Sequence, residues 1–182
     1  MPKTNTEKKR VSDRILYEFG LFNELQKIGE PHIIGSYRMD MMVNNDLDID
    51  VENDKMSLEK LYELTAFVLN TFHPIWYEAK QEVNDEGNIV WFHGFEFQIE
   101  DELFNVDVWF FNRETIAKAE NYCERISRQA TDKQKEIIIN LKRELINGGL
   151  YRFDRYTSMH VYEAVLEKHV SDIEEFLNLY QS

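Results

Sequence analysis

Cysteine occurs once in these 182 residues, at Cys123, so neither an internal disulfide nor a cysteine-rich zinc site can form, and a reducing compartment is the natural setting. Seven glycines and three prolines are few for this length. Sharp turns should be few and regular elements long, with helices foremost. Basic residues are also in deficit, at 21 Lys and Arg against 34 Asp and Glu, for a formal net charge of -13. Binding to nucleic acid depends on neutralising phosphates with Lys and Arg, so no general nucleic-acid binding is expected. No apolar run approaches the length of a membrane span or a signal-peptide core, and the chain opens polar with Lys3, Lys8, Lys9 and Arg10. No membrane partner and a cytoplasmic location are therefore expected, while the oligomeric state cannot be read from the sequence.

Several familiar motifs are missing too. No glycine opens a GxxxxGK, GxGxxG or GxSxG pattern, which excludes nucleotide binding by those routes. The five histidines, His32, His73, His93, His160 and His169, form no HExxH pair and no zinc spacing with Cys123. The run beginning at Asp46 starts like a calcium loop, but Val51 stands at the sixth position, where glycine is needed, and Ser57 at the twelfth, where glutamate is needed.

What is present is a globular composition, 43% hydrophobic, 13% aromatic and 30% charged, long enough for one domain or for a domain with a helical appendage. Apolar Ile15, Phe19, Phe22, Leu25 and Ile28 recur at helical spacing after Ser12 and predict a helix over 12–28. A short apolar strand, Ile33-Ile34, leads into Gly35-Ser36, and 37–43 can form a short helix. Asp46 to Val51 alternates acid and aliphatic, the period of a strand with one buried face. Ser57 starts a helix with Leu58, Leu61, Leu64, Val68 and Phe72 on its inner side. Three strands are expected over 75–111, with turns at Asn84-Asp85-Glu86-Gly87-Asn88 and Glu100-Asp101-Glu102. The remainder reads as helix, interrupted at Gly148-Gly149, with capping boxes at Thr131/Gln134 and Ser171/Glu174. The class is α+β: a mixed sheet flanked by helices over 1–112, followed by a C-terminal helical segment, 113–182, packed on that core.

Asp46, Asp48 and Asp50 point to one side of their strand, with neighbours about 6.6 Å apart, twice the strand rise. They repel one another unless solvated or bound to cations, and carboxylates so spaced can straddle a pair of magnesium ions about 3.5–4 Å apart. An edge strand made acidic to stay soluble is the alternative. A second acid, Asp107, interrupts the apolar strand Val106-Asp107-Val108-Trp109-Phe110-Phe111, where a charge is costly unless paired or metal-bound. Gly35-Ser36, at a strand-to-helix turn, lets backbone approach a phosphate.

Together these three pieces, Ile34-Gly35-Ser36, Asp46-Leu47-Asp48-Ile49-Asp50-Val51 and Val106-Asp107-Val108, resemble the pattern of the nucleotidyltransferase superfamily that includes DNA polymerase beta and the antibiotic nucleotidyltransferases. The resemblance covers residues 30–111. It implies transfer of a nucleoside monophosphate from a nucleoside triphosphate, such as ATP, to the hydroxyl of an unidentified acceptor, a small molecule among the candidates. Gly35 and Ser36 would hold the phosphates, Tyr37 and Arg38 are candidate nucleotide contacts, and two Mg²⁺ ions would sit on Asp46, Asp48, Asp50 and Asp107. Asp46, Asp48 and Asp107 would be the catalytic acids. Where many members continue Gly-Ser with Ala-Arg-Gly, this chain has Tyr37-Arg38-Met39, so Arg38 takes no role by position. The acidic run also has one Asp more than the pattern needs: Asp46 with Asp48 is favoured as the metal pair over Asp48 with Asp50. A non-catalytic interaction module with the same fold is the rival reading.

Overall fold

The computed structural model describes residues 3–53, 55–84 and 87–180, and the chain divides into two units, Met1–Cys123 and Glu124–Ser182. In the first unit Thr4 caps helix α1 (Asn5–Asp13) with a full capping box, Glu7 reaching back to the Thr4 backbone. The helix therefore starts seven residues before the expected Ser12. Ser12 is instead a buried hydroxyl donating to the Lys8 carbonyl. A π-helical turn (Arg14–Glu18) follows, and Gly20, at φ +81°, separates it from α2 (Leu21–Gln26), so the single helix of the sequence reading is broken where glycine permits a left-handed residue.

Strand β1 (Glu30–Ile33) leads into the short helix α3 (Gly35–Arg38). Strand β2 (Asp46–Glu52), helix α4 (Leu58–Phe72) and the meander β3 (Trp76–Val83), β4 (Ile89–Ile99) and β5 (Glu102–Phe111) complete the unit's core, before α5 (Arg113–Gln129). All three meander strands lie where expected. Of the β3–β4 turn, Asp85 and Glu86 fall outside the described residues; Asn84 and Asn88 close it by backbone hydrogen bonding. The five strands run in the order β1-β2-β5-β4-β3, and β2 with β5 is the parallel pair, the others being antiparallel.

Alternation along these strands separates two chemistries. Leu47, Ile49 and Val51 of β2, Val106, Val108 and Phe110 of β5, and Phe95 and Phe97 of β4 form one apolar face, packed against Ile15, Leu16, Leu21, Leu25, Leu64, Val68 and Phe72. Burying each such side chain contributes about 1.5–3 kcal/mol. Leu58 departs from the expected inner stripe of α4 and is exposed, because it occupies the first position after the Ser57 cap.

The second unit holds the end of α5 and helices α6 (Asp132–Asn147), α7 (Ser158–Leu166) and α8 (Ile173–Tyr180). Thr131 and Gln134 form the expected capping box. At α8 the cap shifts by one residue: Asp172, not Ser171, accepts from the amide of Glu175, and the Glu175 carboxylate takes the Ser171 amide. Ile138, Leu141, Leu145, Val161, Val165 and Phe176 are buried within this unit. Among the described residues no helix is long and apolar enough to cross a membrane.

Candidate active site

The opposite face of the β2–β5 pair carries the polar set. In register, Asp46 stands beside Asn105, Asp48 beside Asp107 and Asp50 beside Trp109, so the alternation that buries Leu47 and Ile49 turns the acids to the other side. Carboxylate oxygens of Asp46, Asp48 and Asp107 all lie within 4.8 Å of one another. Asn105, two positions before Asp107 on the same face, donates from its amide to Asp46 at 2.7 Å. Its place in that periodic stretch was the available signal, and the sequence reading passed over it.

Burial, together with the negative charge of Asp46, raises the Asp107 carboxyl to about 6, against a weaker opposing hydrogen bond from Asn105. The three acids form a place where negative charge is crowded and desolvated, which favours either a bound proton or a bound cation. Asp50 lies outside the group. It stands one strand step beyond the Asp48–Asp107 pair, is 2% exposed, and is raised to about 7 by burial and by the charge of Glu120. The carboxylates within reach of one another are thus those of Asp46, Asp48 and Asp107, and Asp50 stands apart from them.

The Gly35–Arg38 turn lies directly against this cluster. Gly35 has φ +64°, and a Cβ there would come within 2.0 Å of Asp48 Oδ2. Both the left-handed backbone and the close approach require glycine. Ile34 donates its amide to the Asp48 carbonyl at 3.1 Å, tying the start of the turn to β2. Tyr37 donates its hydroxyl to Asp13, and Arg38 donates to Glu120 at 3.1 Å. Both candidate nucleotide contacts are thereby engaged with protein groups. The helix leaves its first amides without intrahelical acceptors.

On the other flank, Asp107 borders a groove of about 490 Å³ lined by Trp76, Phe92 and Trp109 together with Glu78, Glu82 and Glu96. Lys80 bridges Glu78 and Glu82 at 3.2 and 2.7 Å and lies over the Phe92 ring. Trp109 is on β5 itself; the others come from the edge strand β3 and from β4, whose register places Gly94 beside Asp107 and Glu96 beside Asn105. Nothing in the sequence pattern marks the β3 and β4 residues, since they reach the site only through strand pairing.

No family model and no curated protein matches the sequence. Solved structures do. The chain is similar to Cid1 poly(U) polymerase bound to magnesium and 3'-dATP, with a TM-score of 0.61 and 15% identity over 88% of this chain and 49% of that one. It is similar also to the polymerase core of the TRAMP RNA surveillance complex, with a TM-score of 0.60 and 15% identity over 98% and 57%, and to the non-canonical poly(A) polymerase complex GLD-2–GLD-3, with a TM-score of 0.60 and 11% identity over 99% and 60%. This chain has the nucleotidyltransferase fold. It spans about half the length of the solved structures it matches. The fold also corrects one expectation. Net charge led to the exclusion of general nucleic-acid binding, yet the solved structures to which this chain is similar include an RNA terminal U-transferase and the polymerase core of an RNA surveillance complex. Whole-chain charge averages over surfaces that never meet a ligand, so it does not support the exclusion.

Proposed function

We propose that this protein is a Mg²⁺-dependent nucleotidyltransferase that moves a nucleoside monophosphate from a nucleoside triphosphate to an acceptor hydroxyl and releases pyrophosphate. The observation that carries the reading is the convergence of Asp46, Asp48 and Asp107 beside the Gly35–Ser36 turn. Hard oxygen donors crowded within 4.8 Å, one of them shifted up to about 6, fit magnesium, and Asp46, Asp48 and Asp107 would hold two ions. Bound there, magnesium supplies charge neutralisation at the phosphates and at the attacking and leaving oxygens. Ser36 and the amides that follow Gly35 take the triphosphate, Asn105 orients Asp46, and Asp107 faces the acceptor and accepts its hydroxyl proton.

An RNA end is the acceptor this reading favours, because the similar solved structures act on RNA. The acid- and aromatic-lined groove beside Asp107 favours a second acceptor class, a compact hydroxylated amine, whose cation the carboxylates and rings would attract. The deciding experiment incubates the protein with each labelled nucleoside triphosphate and Mg²⁺, with an RNA oligonucleotide or with a small hydroxylated amine. Pyrophosphate release with a labelled acceptor supports the enzyme. No pyrophosphate, and no Mg²⁺-dependent rise in melting temperature with any nucleotide, would leave the non-catalytic module.

A further inference from the structure

The phosphate-binding turn is held from α5 at both of its ends. Gly35 and Arg38 are one helical turn apart on α3, and the residues that meet them, Cys123 and Glu120, are one helical turn apart on α5. The buried Cys123 thiol, 3% exposed, is raised by burial and lowered in part by the Gly35 backbone beside it. Glu120 Oε1 accepts from Arg38 at 3.1 Å and from the Nδ1 side of His32 at 3.1 Å, while Arg113 lies 3.7 Å from its other oxygen. His32 is on β1 and pairs in register with Asp50, so one carboxylate joins α5, β1 and the end of α3. Burial works against charge on Glu120, yet His32 and Arg38 outweigh it and keep the carboxyl below its ordinary value.

Opposite faces of the same turn are held elsewhere. Tyr37 meets Asp13 and Asp40 meets Lys9, both from α1. On the cluster side the Gly35 α-carbon abuts Asp48. A shift of α3 by even a few tenths of an ångström would therefore alter the space between Gly35 and the Asp48 carboxylate.

We propose that Glu120 is a positioning residue for nucleotide binding: through Arg38, with His32 as its second anchor, it holds α3 in the place that keeps Gly35 against Asp48 and Ser36 beside the acidic cluster. This role rests on the nucleotidyltransferase reading. It assigns Arg38 to the protein scaffold in place of a phosphate contact, since its guanidinium is already engaged by the Glu120 carboxylate at 3.1 Å. Glu120 touches neither nucleotide nor metal and acts only through the turn.

The test has two readouts on the full chain. Hydrogen exchange of the 35–41 amides, without nucleotide, reads the latch itself. Glu120→Ala should speed exchange there about tenfold, a change of the size expected when one charged contact in a network is lost, while amides of β4 and β5 stay as in the parent. Titration with each nucleoside triphosphate and Mg²⁺ reads the consequence. Kd should rise about tenfold for Glu120→Ala and less for Glu120→Gln, which keeps an acceptor oxygen for Arg38. Glu120→Ala and Arg38→Ala should be non-additive, the double variant binding as weakly as either single one. Unchanged 35–41 exchange, or unchanged nucleotide affinity in Glu120→Ala, overturns the positioning role. Additive losses also overturn it, because Arg38 would then contact nucleotide independently. If the parent binds no nucleotide with Mg²⁺ while the exchange effect is present, the functional reading fails and takes the positioning role with it, the latch being then purely structural.

Discussion

Gly35 and Asp48 occupy one another's space: the hydrogen on the Gly35 α-carbon points where a methyl group would lie 2.0 Å from the Asp48 carboxylate oxygen. A methyl there must displace the carboxylate or the turn, and the left-handed backbone adds about 1–2 kcal/mol of strain of its own. Gly35→Ala should lower the melting temperature and reduce Mg²⁺-dependent nucleotide affinity at least tenfold. Gly149→Ala, a positive-φ glycine with open space around it, should cost only the backbone strain and leave nucleotide affinity unchanged. Isothermal titration of both variants checks this.

Asp48→Asn removes one charge from the crowded acids and keeps the size of the side chain. In metal-free buffer its melting temperature should equal or exceed that of the parent, because repulsion with Asp46 and Asp107 falls. Nucleotide binding with Mg²⁺ should be lost. A large drop in stability with binding retained would mean that Asp48 is a structural acid paired with a cation.

His93 is fully buried on the apolar face of β4 with both ring nitrogens lacking hydrogen-bond partners. Burial lowers it to about 4. The folded protein then binds fewer protons than the unfolded chain between pH 6.5 and 4, so this contribution to stability is whole above the ordinary histidine value and is lost as pH falls through that window, by about 3 kcal/mol in all. His93→Phe should narrow the gap between the melting temperatures at pH 7.5 and pH 5, whatever its effect on packing at either pH alone.

Asp50 works in the opposite sense. Its folded value, about 7, stands above the ordinary 3.8, so its contribution is whole in acid and is lost as pH rises towards 7. Asp50→Asn should stabilise the metal-free protein above pH 7 by on the order of 4 kcal/mol and do little at pH 4. Chemical denaturation at the two pH values gives the comparison. Equal effects at both would mean that Asp50 titrates near its ordinary value, and a loss of stability confined to the higher pH would place its charge on a cation.

Much of this architecture could be read from periodicity. Strict alternation located β2, and the polar turns at 84–88 and 100–102 marked the meander. The pattern misled in one place: Ser12 resembled a cap, whereas Thr4 with Glu7 starts the helix earlier in the chain, and Gly20 then divides it. Asp46, Asp48 and Asp107 were recognisable because an acid in an apolar strand is costly. Glu120, Glu78 and Glu96 were not, since an acid on a helix or on the polar face of a meander strand has an ordinary solvated reading, and only register and packing bring these three toward the site. The spare acid, Asp50, could not be separated from its neighbours by spacing. The position of Trp109 beside it separates them.

The parallel ladder has a consequence for how the protein acquires its site. Asp46 and Asn105 are 59 positions apart, and closing such a span costs roughly 3–4 kcal/mol in chain entropy before any contact repays it. The β3–β4–β5 meander pairs neighbours in sequence and can form early; β5 must then dock on β2. Until it does, Asp107 is remote from Asp46 and Asp48, and the mutual repulsion of the three acids does not burden the folding chain. A nascent chain that has not yet emerged through β5 has a nucleotide turn but no complete acidic cluster. Substitutions that loosen the meander would abolish the site without touching one of its carboxylates.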